Sequence, residues 1–435
     1  MTLRKFFIVT ILLTLFLPGF SQKNGYKIQI TISEVPDEML YLVGTYGDKQ
    51  FIADSAAVNG KFTAVFKGEK LLPSGIYIVQ NKAQQRYLDL IIDQSRHFSI
   101  ATSMDKLLKE RVIKKSPENQ LFFEVEKAAF LSFFFPTETS VIDQYADLSP
   151  QTLLSKFLKA VQPVKVPSSP ELDSIQIHQY QVAHFFDGID VNDARLLRVP
   201  MIPEKVFSYF TELLPQQSDT LIERISAFLD GIQTKEVFDY YLEKLFQEYA
   251  GYHTNYDLDA VAVYLYDRYC AKGLCSFITP DYERITWKKM ERKRRLLPGQ
   301  QVPFLEAYDQ EGKVIRTQDL ESAYILLWFW EPDCESCMEL TPMLLDFYSQ
   351  FKHRLDFEVY AVALTEDEQA WTDFINQYHL DWINVSFVKG FPNYDVIDYF
   401  DIMTTPNLVL LDRNHTILTR QISFEHIRCF MEQHK

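Results

Sequence analysis

The spacing of apolar residues changes twice along the chain, and the first pattern runs from about Lys23 to Ser103. Short runs rich in β-branched and aromatic residues are separated there by turn residues, which is typical of strands. Asn59-Gly60, between the third and fourth runs, predicts a hairpin because both residues tolerate the positive φ of a tight turn. We therefore predict an all-β sandwich of antiparallel strands over residues 22–105, built from the runs "YKIQITI", "MLYLVG", "FIADSAAV", "KFTAVFK", "GIYIVQ", "YLDLIID" and "HFSIAT".

The second pattern has the period of helices. Apolar residues recur at every third and fourth position, with Lys and Glu between them, in stretches such as "KEVFDYYLEKLFQEYA". Each such stretch has one face to bury, which indicates an amphipathic helix. We predict a central all-α domain over residues 116–295, interrupted by a Pro- and Ser-rich loop at 161–174. Its histidines, His178, His184 and His253, lack the i, i+4 spacing of a helical metal pair.

The third pattern alternates strands and helices from about Leu297 onward. "AYILLWFW" (323–330) is a continuous apolar run, typical of a central strand that is buried on both faces. A helix is predicted from Cys334 to about Phe351, and Glu311-Gly312 predicts a hairpin before it. The alternation indicates an α/β domain over residues 297–435, with a central sheet covered by helices on both faces.

The N-terminal end has the pattern of a secretory signal peptide, which we predict over residues 1–21. An apolar run from Phe6 to Leu17 follows two basic residues and precedes small residues placed for cleavage after Ser21. The run is shorter than the roughly 20 residues that a membrane span needs. We therefore expect an exported protein with no transmembrane segment in the mature chain.

The charge balance argues against one class of partner. The chain has 44 Lys and Arg against 59 Asp and Glu, a formal net charge of −15. Nucleic-acid binding depends on clustered basic residues that contact phosphates, so we expect no nucleic-acid partner. The one basic cluster, "KKMERKRR" (288–295), is interpreted as a solvated helix end.

Five cysteines leave at least one unpaired. Cys270 and Cys275 bracket a Lys-Gly helix stop. They could form a local disulfide if a left-handed turn at Gly273 brings their Cα atoms within about 7 Å, and the sequence does not decide this.

The other close pair lies in "WFWEPDCESCMELTP" (328–342). The thiolate is the nucleophile in disulfide exchange, so a redox cysteine needs surroundings that stabilise negative charge. Cys334 follows the turn at Pro332-Asp333, which would place its sulfur at the N-terminus of a helix, near unpaired amides. We predict Cys334 as nucleophile and Cys337, one turn later, as resolving thiol of a redox-active disulfide.

Two other roles for this pair are a metal site and a structural disulfide. A structural zinc site typically needs four Cys or His ligands at set spacing, and this chain has no second CxxC. We therefore expect no metal, and no cofactor. A purely structural disulfide remains an alternative, although such tight spacing at a helix start is unusual for one.

Residues 297–435 resemble the thioredoxin fold, and specifically the exported TlpA/ResA-like thiol-disulfide oxidoreductases. The resemblance rests on the strand ending in "WFW", the Cys334 and Cys337 pair, Pro342 within the following helix, and "TTPNLVLLD". It implies a cis Thr405–Pro406 bond beside the disulfide, with Thr405, Pro406 and Trp330 as substrate-binding residues. The two upstream segments resemble those of secreted thioredoxin-like proteins of Bacteroidota, whose role is unknown.

This chain departs from the family pattern around the cysteines. Asp333 replaces the usual tryptophan before the first cysteine, and negative neighbours oppose thiolate formation. The buried acid of thioredoxins falls at Trp328, and the glutamate of the TlpA/ResA group falls at Leu340. Glu339 is therefore the candidate proton acceptor for Cys337.

The resemblance implies a periplasmic thiol-disulfide oxidoreductase, acting as a reductase of exported proteins with disulfides. A membrane thiol electron donor would have to re-reduce it, because the periplasm has no reducing glutathione pool. The alternative is a protein that binds a peptide, glycan or partner and uses the thioredoxin module as a scaffold, since fold alone does not fix function. Disulfide isomerase activity is a third hypothesis.

Overall fold

The computed structural model describes residues 25–134, 146, 149–167, 172–251, 256–386, 396–421 and 423–433. The predicted signal peptide and His253 lie outside these residues. The chain forms two compact units, of which the first comprises Met1–Gln162 with Arg195–Pro200, and the second Pro163–Ala194 with Met201–Lys435. None of the helices in the described ranges is both long and apolar enough to cross a bilayer.

The first unit contains two four-stranded sheets, with strand orders β4-β1-β7-β8 and β3-β2-β5-β6. Their strands are β1 (Tyr26–Ser33), β2 (Met39–Tyr46), β3 (Lys49–Ala57), β4 (Thr63–Gly68), β5 (Gly75–Gln80), β6 (Arg86–Ile92), β7 (His97–Ser103) and β8 (Val112–Lys114). The helices α1 (Pro117–Phe134) and α2 (Leu153–Val161) belong to the same unit.

All seven predicted runs are strands, and β8 adds one more, but two details of the predicted sandwich are wrong. β1 pairs in parallel with β7. The intervening strands β2, β3, β5 and β6 lie in the other sheet and supply the long crossover that a parallel pair requires. Asn59-Gly60 does not close a hairpin, because β3 pairs with β2 whereas β4 pairs with β1.

The two sheets share one hydrophobic core. Along β1, Ile28, Ile30 and Ile32 are fully buried while the residues between them are more exposed, the period of two of a strand with one face inward. Residues from both sheets join these isoleucines in a single cluster, which Phe123 of α1 also enters. Hydrophobic alternation therefore determines which face of β1 is buried.

The second unit begins with helices, as predicted for the central region. They are α3 (Ser174–His184), α4 (Ile202–Ser208), which continues into a π-helical turn (Tyr209–Leu213), α5 (Ser218–Gly231), α6 (Lys235–Ala250), α7 (Asp259–Arg268) and α8 (Pro280–Arg294). Asp173 and Gln176 form a reciprocal capping box at the start of α3, which satisfies two backbone N–H groups.

A seven-stranded sheet with order β10-β9-β13-β12-β11-β14-β15 completes the unit. Its strands are β9 (Glu306–Tyr308), β10 (Val314–Arg316), β11 (Tyr324–Trp330), β12 (Phe357–Ala363), β13 (Ile383–Ser386), β14 (Asn407–Asp412) and β15 (Ile417–Gln421). Its helices are α9 (Glu335–Phe351), α10 (Glu368–Tyr378), α11 (Val396–Tyr399) and α12 (Phe424–Gln433). Gly312, with φ 81°, closes the predicted β9–β10 hairpin.

β11 is an interior strand of this sheet, between β12 and β14. Leu326, Trp328 and Trp330 enter the core on one side of the sheet, and Leu327 and Phe329 enter the core on the other. Burial on both faces explains why the sequence of this strand shows a continuous apolar run and no alternation.

Candidate active site

The Cys334–Cys337 disulfide lies where β11 turns into α9. Cys334 is the N-cap of α9, and its Sγ accepts a hydrogen bond of 3.1 Å from the backbone N–H of Cys337. The two Cα atoms are 5.2 Å apart. The same N–H also donates to the Cys334 carbonyl oxygen at 3.0 Å, a shared hydrogen bond of the kind common at helix termini. It lies where it would stabilise negative charge on Cys334 in the reduced protein.

The two sulfurs differ in exposure. Cys334 is half-buried, whereas Cys337 is fully buried within the core cluster that includes Trp328 and Trp330. An incoming disulfide therefore meets Cys334 first. Cys337 reaches Cys334 from beneath, which is the geometry of a nucleophile and its resolving thiol.

The Thr405–Pro406 peptide bond is cis, as the resemblance implies. β14 starts immediately after it and runs antiparallel to β11, with Asn407 opposite Phe329. This register places Thr405–Pro406 at the same end of the sheet as Cys334. The Thr405 hydroxyl donates a hydrogen bond of 3.1 Å to the Glu331 carboxylate, which ties this loop to the turn that carries the cysteines.

The structure does not place Trp330 at a substrate-binding surface. Its side chain is fully buried, stacked on Trp328 at 5.2 Å between ring centroids and in contact with Phe374 at 4.4 Å. The strand alternation that directs Trp330 into the core also keeps it from a substrate. Trp330 is therefore removed from the predicted substrate-binding set, in which Thr405 and Pro406 stay predictions.

Glu339 is not positioned beside Cys337. Residues two apart on an α-helix lie on different faces, and Glu339 is exposed whereas Cys337 is buried. Leu340, three residues after Cys337, shares its core cluster. The surroundings of Cys337 are apolar, which opposes its ionisation.

Acidic side chains surround the exposed side of the disulfide. Glu331 is half-buried, and Asp333 and Glu335 are exposed. These charges act against the helix terminus, because a negative neighbour disfavours a thiolate. Glu331 has a second role that its sequence position did not indicate, since its hydrogen bond to Thr405 depends on the pairing of β11 with β14.

The remaining cysteines are also placed. Cys270 and Cys275 form a disulfide with a Cα–Cα distance of 4.7 Å, across the left-handed Gly273 at φ 76°. Cys429, on α12, is exposed and free. The described part of the chain contains no group of three or more His, Cys, Asp or Glu side chains arranged to hold a metal ion.

Two family models match the chain. Residues 322–417 match a family described as thioredoxin-like, and residues 26–122 match a domain of unknown function, DUF4369. The thioredoxin-like match covers the disulfide, the cis-proline and the strands that carry them. The second match covers the sheets of the first unit.

The ResA proteins among the relatives agree with the first match. The thiol-disulfide oxidoreductase ResA of Bacillus anthracis is 27% identical over 130 residues, which are 30% of this chain and 72% of that protein. A domain of a possible thiol-disulfide isomerase from Cytophaga hutchinsonii is 30% identical, with a TM-score of 0.30, over 32% of this chain and 93% of that one.

A thioredoxin-like protein from Bacteroides caccae is 19% identical, with a TM-score of 0.48, over 63% of this chain and 100% of that one. The family match and the ResA relatives confirm the resemblance read from the sequence. They support an oxidoreductase of the thiol-disulfide type.

Proposed function

We propose that this chain, which belongs through residues 322–417 to the thioredoxin-like family, is a periplasmic reductase that reduces disulfides of exported proteins at Cys334. The observation that carries the proposal is a half-buried cysteine capping α9, with Cys337 beneath it and Thr405–Pro406 at the same end of the sheet.

The reaction consists of two exchanges. In the reduced protein, the Cys334 thiolate attacks one sulfur of the substrate disulfide, forming a mixed disulfide and releasing the first substrate thiolate. The Cys337 thiolate then attacks Sγ of Cys334. The second substrate thiolate leaves, and the Cys334–Cys337 bond forms. Two electrons and two protons pass from the protein dithiol to the substrate, which ends as a dithiol.

Each residue of the candidate site named below has a part in these two exchanges. The Cys337 N–H supports negative charge on the Cys334 thiolate before it attacks the substrate disulfide. The backbone at Thr405 would pair with the substrate segment, as the family resemblance implies, and the Thr405 hydroxyl would fix that loop through Glu331. Substrate binding by Thr405 and Pro406 is part of this proposal.

Continued turnover requires an external dithiol, because each cycle leaves Cys334 and Cys337 oxidised. We propose a membrane thiol donor for this step and the periplasm as the compartment. The leader-like pattern of residues 1–21 motivates the location. The donor follows from the need for a source of electrons in an oxidising compartment.

The direction of exchange is tested by equilibrating the full chain with defined thiol buffers and measuring oxidation of the Cys334–Cys337 pair. A reductase should have a potential near about −270 mV, and a value near about −120 mV would make it an oxidant instead. The Cys337→Ala variant keeps the nucleophile and lacks the resolving thiol, so mixed disulfides with exported proteins should accumulate on it. An inert wild type that also yields no mixed disulfides contradicts the proposal.

A further inference from the structure

A cavity of about 360 Å³ lies beside the loop that leads to the cis-proline, between that loop and α8. Met403, two residues before Thr405, lines it from the loop side together with Asp401. Two residues span at most about 7 Å, so the cavity begins within one extended dipeptide of the proposed substrate-contact residue. A substrate segment bound at Thr405 would therefore pass close to this cavity.

The opposite wall is the basic cluster that the sequence suggested was a solvated helix end. Lys288, Lys289, Arg292 and Lys293 all line the cavity, and the first three are exposed, so this face of α8 forms one wall of a cavity that is open to solvent. Ile285, 60% exposed, lines the same wall, and Met403 is 55% exposed on the other side. The cavity thus offers both positive charge and apolar contact.

The local charge is positive even after neighbouring acids are counted. Arg292 forms an ion pair with Asp398, Lys293 forms a buried ion pair with Asp259, and Asp401 lies in the lining. Among the residues that the structure describes, these three acids stand against the four basic residues of the lining, an excess of one positive charge. The chain as a whole carries −15, so the cavity has the opposite sign to its protein.

A second positive group lies behind this wall. Arg420 is 1% exposed, and its guanidinium sits 4.0 Å from the ring centroid of Tyr256, which lines the cavity. Burial lowers the pKa of Arg420. The pKa of Lys289 is lowered, mainly by partial burial and to a smaller extent by the neighbouring Lys293. Asp401 and Asp259 oppose this shift. An incoming carboxylate would relieve the repulsion between these lysines.

Hydrogen bonds tie the end of α8 to α11. The Arg295 side chain, just after α8, donates to the carbonyl oxygens of Tyr399 and Asp398, at 3.0 and 2.5 Å. The basic wall is therefore fixed in position before any ligand arrives, which lowers the entropic cost of binding.

We propose that this cavity binds an acidic side chain of the substrate polypeptide, so that the enzyme selects disulfides flanked by Asp or Glu. The inference rests on the proposed disulfide exchange and names its substrate class. A peptide segment fits better than an inorganic anion, because Ile285 and Met403 offer apolar contact that an inorganic anion would not use. The acids beside Cys334, Asp333 and Glu335, repel the same segment and orient it toward α8.

The test uses the full reduced chain and two synthetic peptides, each with one intramolecular disulfide. The peptides are identical except that Asp residues flanking the cysteines in one are Asn in the other. The wild type should reduce the acidic peptide at least about fivefold faster at low salt, and the preference should shrink at high salt because exposed charges are screened.

Lys288→Glu together with Lys289→Glu should bring the rate ratio of the two peptides to one or below. Lys313→Glu, an exposed lysine in the β9–β10 turn, is the matched control and should keep the wild-type ratio. Met403→Glu changes the opposite wall and should also lower the ratio, so the test does not depend on one variant folding.

The outcomes separate the two proposals. If the wild type reduces both peptides at equal rates, or keeps its preference in the α8 and Met403 variants, acidic selection is wrong while disulfide reduction stands. If the wild type reduces neither peptide, disulfide reduction itself fails, and this inference fails with it.

Discussion

The second unit contains two local disulfides whose burial is alike and whose settings differ. In each pair one cysteine is half-buried and the other buried, Cys334 with Cys337 and Cys270 with Cys275. Cys334 caps the start of the long helix α9, whereas Cys270 follows the end of α7. Backbone N–H groups at a helix start stabilise a thiolate, and the carbonyl end of a helix opposes one.

The loops opposite the two disulfides also differ. Thr405–Pro406 lies at the same end of the sheet as Cys334, where we propose that the substrate binds. Cys270 and Cys275 close a turn at Gly273, whose left-handed conformation ends the helical segment. Exposure alone therefore does not identify a redox disulfide. A redox disulfide is identified by the end of the helix at which it lies and by the loop beside it.

The largest expected effect is on the rate of disulfide reduction, which should depend on the Cys334–Cys337 pair and not on the Cys270–Cys275 pair. Cys334→Ser should lower the rate of disulfide reduction by more than about 1,000-fold, because the nucleophile is removed. Cys270→Ser with Cys275→Ser should leave that rate near the wild type. Reduction of a fluorescent disulfide peptide by each variant measures both, and a large loss in the Cys270/Cys275 variant would contradict the contrast drawn here.

The second effect is on stability. Cys270→Ala with Cys275→Ala should lower the free energy of unfolding by about 2 kcal/mol, as the loop entropy of a short ring predicts. Urea unfolding followed by circular dichroism measures it, and Cys429→Ala, at the free exposed cysteine, is the matched control. An unchanged midpoint in the double variant would mean that this disulfide adds nothing to the fold.

A smaller effect concerns the acids beside Cys334. Asp333→Asn removes an exposed negative charge near the nucleophile and should raise the rate of Cys334 alkylation in the reduced protein about threefold at neutral pH. Glu321 is exposed and precedes the start of β11, at the other end of the strand from Cys334. Glu321→Gln should therefore leave the alkylation rate unchanged. Equal rates for Asp333→Asn and wild type would show that the helix terminus dominates over this acid.

The smallest effect concerns the loop at Thr405–Pro406, at the same end of the sheet as Cys334. Thr405→Val removes the hydroxyl that donates to Glu331 and should lower the rate of peptide reduction about twofold to fivefold, the cost of a single hydrogen bond. Thr405→Ser keeps the hydroxyl and should retain more of the rate. If both variants behave like the wild type, the Thr405–Glu331 bond has no part in positioning the loop.

Much of this fold is readable from local pattern. The seven β-rich runs, the helical segment and the apolar β11 are all found, because side-chain periodicity depends on which face is buried. The parallel pairing of β1 with β7 is not readable, since the same alternation suits either direction. The Asn59-Gly60 turn signal is local too, and it does not specify which sheet the next strand joins.

The candidate site divides in the same way. The CxxC spacing and the turn before it determined that Cys334 would cap a helix with Cys337 one turn later, because both facts follow from helix geometry. Only the tertiary structure showed that Trp330 packs against Phe374 of α10 and that Glu331 reaches Thr405. Each of these depends on the packing of a second element.

The basic cluster at 288–295 shows the same limit most clearly. The sequence determined that α8 would be helical and positively charged. Whether its lysines line a cavity depends on where the loop before Thr405 lies. That loop is more than 100 residues away along the chain. Local periodicity fixes the faces of an element, whereas long-range strand pairing decides what each face meets.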